Sequence, residues 1–363
     1  MATSTLQLAE RWAWLKSWTP AGAQQKWWPE LGATPSRLVF QNGLVEMHRY
    51  VTTNRKARKS KVFLIPSLIN RHYVLDLAPG KSLVDYLLKQ GHSVDIIRWR
   101  APEAADQQTR MEDVLENSLR PALVASTEHC GGPVSVFGQC LGGTFATMLA
   151  VRWPELCRNL ILVTAPVDFA SRGSEDNLLM RWTQSPQLDL DLILRTYGNM
   201  PWPLLQSAFH LLTPTASIAK LRTLKTKGRD LNFLRHFLAL ETWSGDNVPY
   251  PGECFRFLIQ NLYRENQFVT GQIELAGQRI ALADLKTPVL SVASSEDHIV
   301  AMSSTLQKHH LNAPQTLTQI QVQGGHVNAL LGSRSQSQIW PQFSRWISPT
   351  TSGTHIPAQK VQT

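Results

Sequence analysis

Short, mostly apolar runs mark the chain at residues 62–65, 96–97, 134–137, 160–163 and 289–292. Runs of this length without polar alternation predict strands buried on both faces. Helix-compatible stretches separate them at 82–90, 111–127 and 144–153. Strands that alternate with helices predict a parallel sheet covered on both sides. A further run, 316–322, predicts the last strand. The rhythm lapses between about 168 and 285, where Trp, Leu and Pro are frequent and the pattern is mostly helical, with no clear strand series. This stretch is expected to be a helical cap inserted beside the sheet; a second, independent domain is the other arrangement it allows.

The two ends differ from the middle. Residues 1–50 crowd Trp12, Trp14, Trp18, Trp27 and Trp28 together, with Leu8, Trp12 and Leu15 on one helical face. These aromatics either pack on the body of the protein or face a partner or an apolar surface. Residues 350–363 are polar and are expected to be disordered. The pattern thus divides the chain into a Trp-rich segment (1–50), a first core part (51–167), a helical cap (168–285), a second core part (286–349) and a tail (350–363).

Composition narrows the class. A chain of 363 residues with 43% hydrophobic content can bury a large core. No apolar run approaches the roughly 18 residues of a membrane span, and no transmembrane segment is expected. Glu10, Arg11 and Lys16 interrupt the first twenty residues, so a signal peptide is not expected and the cytoplasm is the expected location. The formal charge of +9 would suit a polyanion such as nucleic acid, or a phosphate-bearing ligand such as coenzyme A. The basic residues are scattered, and the cluster at 55–61 reads as a solvated loop with no nucleic-acid motif beside it. The cysteines, Cys130, Cys140, Cys157 and Cys254, show neither a Cys-x-x-Cys pair nor zinc-like spacing. No metal or cofactor is expected, and Cys130, Cys157 and Cys254 read as structural thiols.

Cys140 stands apart. It lies in Gly138-Gln139-Cys140-Leu141-Gly142-Gly143, between a predicted strand and a predicted helix. A tight glycine-bracketed turn in that place is the setting of a nucleophile elbow, where the nucleophile projects over the sheet edge. A thiol there implies covalent acyl chemistry. On α/β-hydrolase scaffolds an acid and then a histidine follow the nucleophile. Asp297 follows the run 289–292, with Glu296 and His298 as its nearest rivals, and His326 follows the run 316–322 beside Gly324 and Gly325. Cys140, Asp297 and His326 are the candidate triad. The backbone N–H groups of Leu141 and of Ile69, in the loop after the first core strand, are the candidate oxyanion donors. Arg71, in the same loop, would either meet a substrate phosphate or make an ion pair.

The same residues carry a family likeness. The chain resembles the polyhydroxyalkanoate synthases, from about residue 50 to 347. Pro66-Ser67-Leu68-Ile69-Asn70-Arg71, the Gly138–Gly143 box, Thr164-Ala165-Pro166-Val167-Asp168-Phe169, Glu296-Asp297-His298-Ile299-Val300 and Gly324-Gly325-His326 are similar to segments of that family. The segments Gly198-Asn199-Met200-Pro201 and Pro251-Gly252-Glu253-Cys254-Phe255-Arg256 look most like the short class III catalytic subunit. Ala301 departs from the family's usual proline, and Arg98-Trp99-Arg100 looks more like the long forms. The resemblance implies an α/β-hydrolase fold and polymerisation of (R)-3-hydroxyacyl-CoA into polyester through a cysteine thioester. It also implies an accessory synthase subunit and a place at polyester granules, and it allows a homo-oligomer. The alternatives are a cysteine-nucleophile thioesterase or small-molecule acyltransferase, and an inactive granule-bound homologue.

Overall fold

In the computed structural model, which describes residues 29–51, 60–171, 178–212 and 216–348, the apolar runs become the centre of one sheet. The strands are β1 (Ser36–Asn42), β2 (Val45–Tyr50), β3 (Lys61–Ile65), β4 (Ser93–Trp99), β5 (Val134–Gln139) and β6 (Cys157–Val163). After a small separate hairpin of β7 (Ile273–Leu275) and β8 (Gln278–Ile280) come β9 (Val289–Ser294) and β10 (Leu317–Val322). The main sheet has eight strands in the order β1-β2-β4-β3-β5-β6-β9-β10. From β4 to β10 every neighbouring pair is parallel; β1 and β2 are antiparallel to their neighbours. This is the α/β-hydrolase arrangement.

Period-two alternation divides the core between the two faces. Phe63, Ile65, Val136, Leu160 and Leu162 point to one side, beneath helices Arg120–Cys130 and Leu141–Arg152. Val62, Leu64, Phe137, Ile161 and Val292 point to the other, beneath helices Leu83–Lys89 and Trp340–Ile347. Phe137 meets Phe343 edge to face at 5.4 Å, pinning the last helix across the sheet.

The sheet begins upstream of residue 51. β1 and β2 escape the hydrophobic pattern because an edge hairpin buries one face only: Val45 and Met47 are buried, whereas Glu46 and His48 are not. The N-terminal tryptophans lie outside the described residues, as do the tail and residues 55–59 of the basic cluster. Lys61, the last member of that cluster, is not solvated. Only 2% exposed, it lies 2.9 Å from Asp95, which Arg49 also holds at 2.8 Å. The strand pairing β2–β4–β3 brings these charges together, and sequence distance concealed it. Burial works against the Asp95 charge, but the two cations outweigh it and hold its carboxyl below the usual range.

Between β6 and β7 the chain runs mainly through helices, among them Leu178–Gln184, Leu190–Tyr197, Trp202–Leu212, Leu231–Gly245 and Gly252–Phe257. Asp189 and Asp230 cap two of them by accepting first-turn N–H groups. An isolated bridge between Asn70 and Asn247 stitches this insertion to the loop after β3, and another, between Met200 and Tyr250, ties the insertion to itself. No helix among the described residues is long and apolar enough to cross a membrane.

Candidate active site

β5 ends in a sharp turn at Cys140, whose φ is 52° and ψ −131°. A residue with a side chain in that left-handed region carries strain of about 1–3 kcal/mol. The surroundings enforce it. The Cys140 N–H donates to Val163 O at 3.0 Å, and its carbonyl accepts from Gly143 N–H at 2.8 Å. The turn also needs two of its glycines: a Cβ at Gly142 would fall 2.1 Å from Ile65 O, and one at Gly138 would fall 2.3 Å from the Gly143 Cα. Helix Leu141–Arg152 starts directly behind the thiol, so its positive end favours negative charge at the sulfur.

The loops after β9 and β10 deliver the other two candidates. Asp297 Oδ1 accepts from the N–H groups of Ile299 and Val300, both at 2.9 Å. That fixes the carboxylate and leaves Oδ2 for His326 Nδ1, at 2.7 Å. The Asp297 side chain is 1% exposed and that of His326 9%. The pairing at Nδ1 leaves His326 free to hydrogen-bond Cys140. Burial pulls the His326 pKa down, but the charges of Cys140 and Asp297 and its bonds to both outweigh burial and raise it from 6.5 to about 10. The arrangement therefore favours the imidazolium form of His326. Of the rivals to Asp297, Glu296 and His298 are both exposed. Ala301, where the family likeness led one to expect proline, has φ −56°, the angle a proline ring imposes.

Leu141 and Ile69 both line the cavity above the thiol. Leu141 opens its helix, and first-turn N–H groups lack an intrahelical acceptor. The Ile69 N–H instead points to Ser67 Oγ at a long 3.4 Å, and its carbonyl accepts from Val248 N–H at 3.1 Å. The cavity is narrow, with a volume of about 40 Å³. The inserted helices wall it with Leu179, Trp182, Leu205, Phe209, Phe255 and Tyr263. Spacings such as Leu205/Phe209 were a visible helical stripe, but nothing in the sequence distinguished a cavity wall from ordinary core. Among the described residues, no Lys, Arg, Asp or Glu lines this cavity. Arg71 makes an ion pair with Asp246 at 3.3 Å, and Tyr73 donates to the same carboxylate at 2.9 Å.

A second polar group lies along the same edge of the sheet. Asp168, His309 and His310 bring potential metal-ligand atoms within 4.8 Å of one another. The hydrogen bonds do not leave an open donor set. His310 Nδ1 accepts from Gln307 N–H at 3.1 Å, which places its proton on Nε2, facing Asp168 at 3.1 Å. Asp168 also accepts from Asn266 and Ala170. The cluster works as a brace between loops. Cys157 and Cys254 are buried; burial pushes the Cys157 thiol up to about 12 and raises Cys254 as well.

Comparison with known proteins places this geometry. Residues 26–87 match the family described as the N-terminus of poly-beta-hydroxybutyrate polymerase (PhaC), and residues 80–308 match DUF3141, described as a protein of unknown function. The poly(3-hydroxyalkanoate) polymerase subunit PhaC of Thiocystis violacea is 29% identical over 322 residues, covering 88% of this chain and 89% of its own. That of Allochromatium vinosum is 28% identical, covering 88% and 90%. A candidate lipase from Sulfolobus solfataricus shares the fold, with a TM-score of 0.54 at 14% identity over 86% of this chain and 98% of its own. The DUF3141 region spans more than half of the chain, which therefore belongs to that family, and over most of its length the chain is similar to the PhaC subunits of poly(3-hydroxyalkanoate) polymerases.

Proposed function

We propose that this protein is a polyhydroxyalkanoate synthase catalytic subunit that polymerises (R)-3-hydroxyacyl-CoA, with Cys140 as nucleophile, His326 as its proton partner and Asp297 orienting the imidazole. The observation that carries the reading is a thiol on a strained elbow, hydrogen-bonded to a histidine that a buried carboxylate holds, beneath an uncharged cavity. The similarity to the PhaC subunits supplies the substrate class.

The thiolate of Cys140 attacks the acyl-CoA carbonyl. The carbon–sulfur bond to coenzyme A breaks, and the departing thiolate takes the proton from His326. One thioester replaces another, so the acyl group keeps its transfer potential, which a serine ester would forfeit. Leu141 and Ile69 N–H groups stabilise the tetrahedral oxyanion, Ile69 exchanging its long bond to Ser67 for a better one. Neutral His326 then takes the 3-hydroxyl proton of a second substrate. That oxygen attacks the acyl-cysteine, an ester forms, and Cys140 leaves as thiolate.

The inserted helices act as a cap. Their apolar wall suits an acyl chain, and the phosphates of coenzyme A stay outside it. An accessory subunit and attachment to the polyester surface complete the proposal, in keeping with the resemblance to the short class III subunits. The test is coenzyme A release from (R)-3-hydroxybutyryl-CoA, with and without a class III accessory subunit, alongside detection of insoluble polyester. Release with polymer, increased by the added subunit, is the expected result. Release without polymer would make the protein a thioesterase.

A further inference from the structure

The cavity that Cys140 lines is small for an acyl group of any length. Its volume is about 40 Å³. A water-sized group needs roughly 10–15 Å³, so the space takes about three or four of them. Two walls set that size. Phe255, Ile259 and Tyr263 belong to one; they are buried in the core that packs against the sheet and have no room to retreat. Leu205, Ala208 and Phe209 belong to the other. Their spacing of three and four puts them on one face of helix Trp202–Leu212. Leu204 and Leu211 lie off that face and are exposed, so the helix turns one side to the cavity and another to solvent. Of the three wall residues on this helix, Ala208 leaves space and Phe209 takes most of it. Phe209 is half-buried and packs on the same core as Cys140.

An acyl group on Cys140 turns its carbonyl oxygen to the oxyanion donors and sends the rest of its chain into this space. Carbon 2, carbon 3, the 3-oxygen and one methyl group fill a cavity of this size. Further methylenes meet an aromatic ring, and forcing them into a packed wall drives side chains out of their preferred rotamers. We infer that Phe209 sets the length of the side chain on carbon 3, so that the protein takes 3-hydroxyacyl groups with short side chains and rejects those with long ones. The inference rests on the acyl-cysteine chemistry proposed above.

The test is the rate of Cys140 acylation, read by mass spectrometry, from (R)-3-hydroxybutyryl-CoA and from (R)-3-hydroxyoctanoyl-CoA. In the wild type the longer thioester should react more slowly by roughly 100-fold or more, given the rate factors that single methylenes command in apolar pockets. Phe209→Ala should raise the octanoyl-to-butyryl ratio by about tenfold or more, and Phe209→Leu should raise it by less. The ratio is taken within one protein, so a loss of folded material leaves it unmoved. Leu204→Ala shortens a side chain of the same helix outside the cavity and should leave the ratio at its wild-type value. Equal wild-type rates with the two thioesters, or a ratio that Phe209→Ala does not change, would overturn the inference and leave the acyl-cysteine chemistry standing. An equal rise with Leu204→Ala would also overturn it, by tracing the selection to the helix's rigidity instead of the Phe209 ring. A wild-type protein that neither thioester acylates would overturn both readings.

Discussion

Two histidine–aspartate pairs lie along the same edge of the sheet, and their difference separates chemistry from architecture. In each, a ring nitrogen meets one oxygen of a carboxylate whose other oxygen is held by N–H donors. His326 presents Nδ1 to Asp297 and keeps its other nitrogen for Cys140. His310 presents Nε2 to Asp168 and uses Nδ1 to accept the Gln307 N–H. One ring bridges a carboxylate to a thiol; the other bridges a carboxylate to a backbone N–H. The residue types are the same. What differs is whether the second nitrogen is spent inside the protein.

The comparison can be broken in order of expected effect. His326→Gln should lower coenzyme A release by roughly 10²–10⁴-fold, whereas His310→Gln should leave turnover within twofold or so. Comparable losses from both would remove the distinction. Asp297→Asn should cost on the order of 10²-fold or more in kcat, because an amide no longer fixes the tautomer that faces the thiol; the check is a kcat and KM split, with KM little altered. His310→Gln should instead destabilise the fold by about 1–3 kcal/mol, since it leaves Asp168 and the Gln307 N–H short of a buried partner. Urea unfolding measures that loss.

The smallest effect is in pH. The folded state raises the His326 pKa from 6.5 to about 10, so it favours the protonated ring. The stability this supplies is complete below pH 6.5 and disappears as the pH rises through about 10. The difference in unfolding free energy between wild type and His326→Gln should follow that course. A difference that grows with pH would contradict the raised His326 pKa.

The two pairs also show what a sequence can and cannot disclose. Cys140 and Asp297 each follow an apolar run and His326 an alternating one, and glycines bracket the cysteine and precede the histidine, so local signals alone single them out. The central strands were legible for the same reason: a strand buried on both faces is a continuous apolar run. Asp168 and His310 are 142 residues apart and carry no local mark. Lys61 looked like part of a solvated basic loop until strand pairing set it against Asp95. β1 and β2 were hidden because an edge hairpin alternates rather than runs. The wall of the cavity was hidden because a helix stripe against a pocket and one against a core have the same periodicity.

The central claim is that Cys140 carries the acyl group. Intact-protein mass spectrometry after mixing with (R)-3-hydroxybutyryl-CoA tests it most directly, comparing wild type with Cys140→Ala. The account predicts a hydroxybutyryl adduct on the wild-type chain, mapped to the peptide containing Cys140, and none on the variant. An adduct of equal abundance on Cys140→Ala would contradict it.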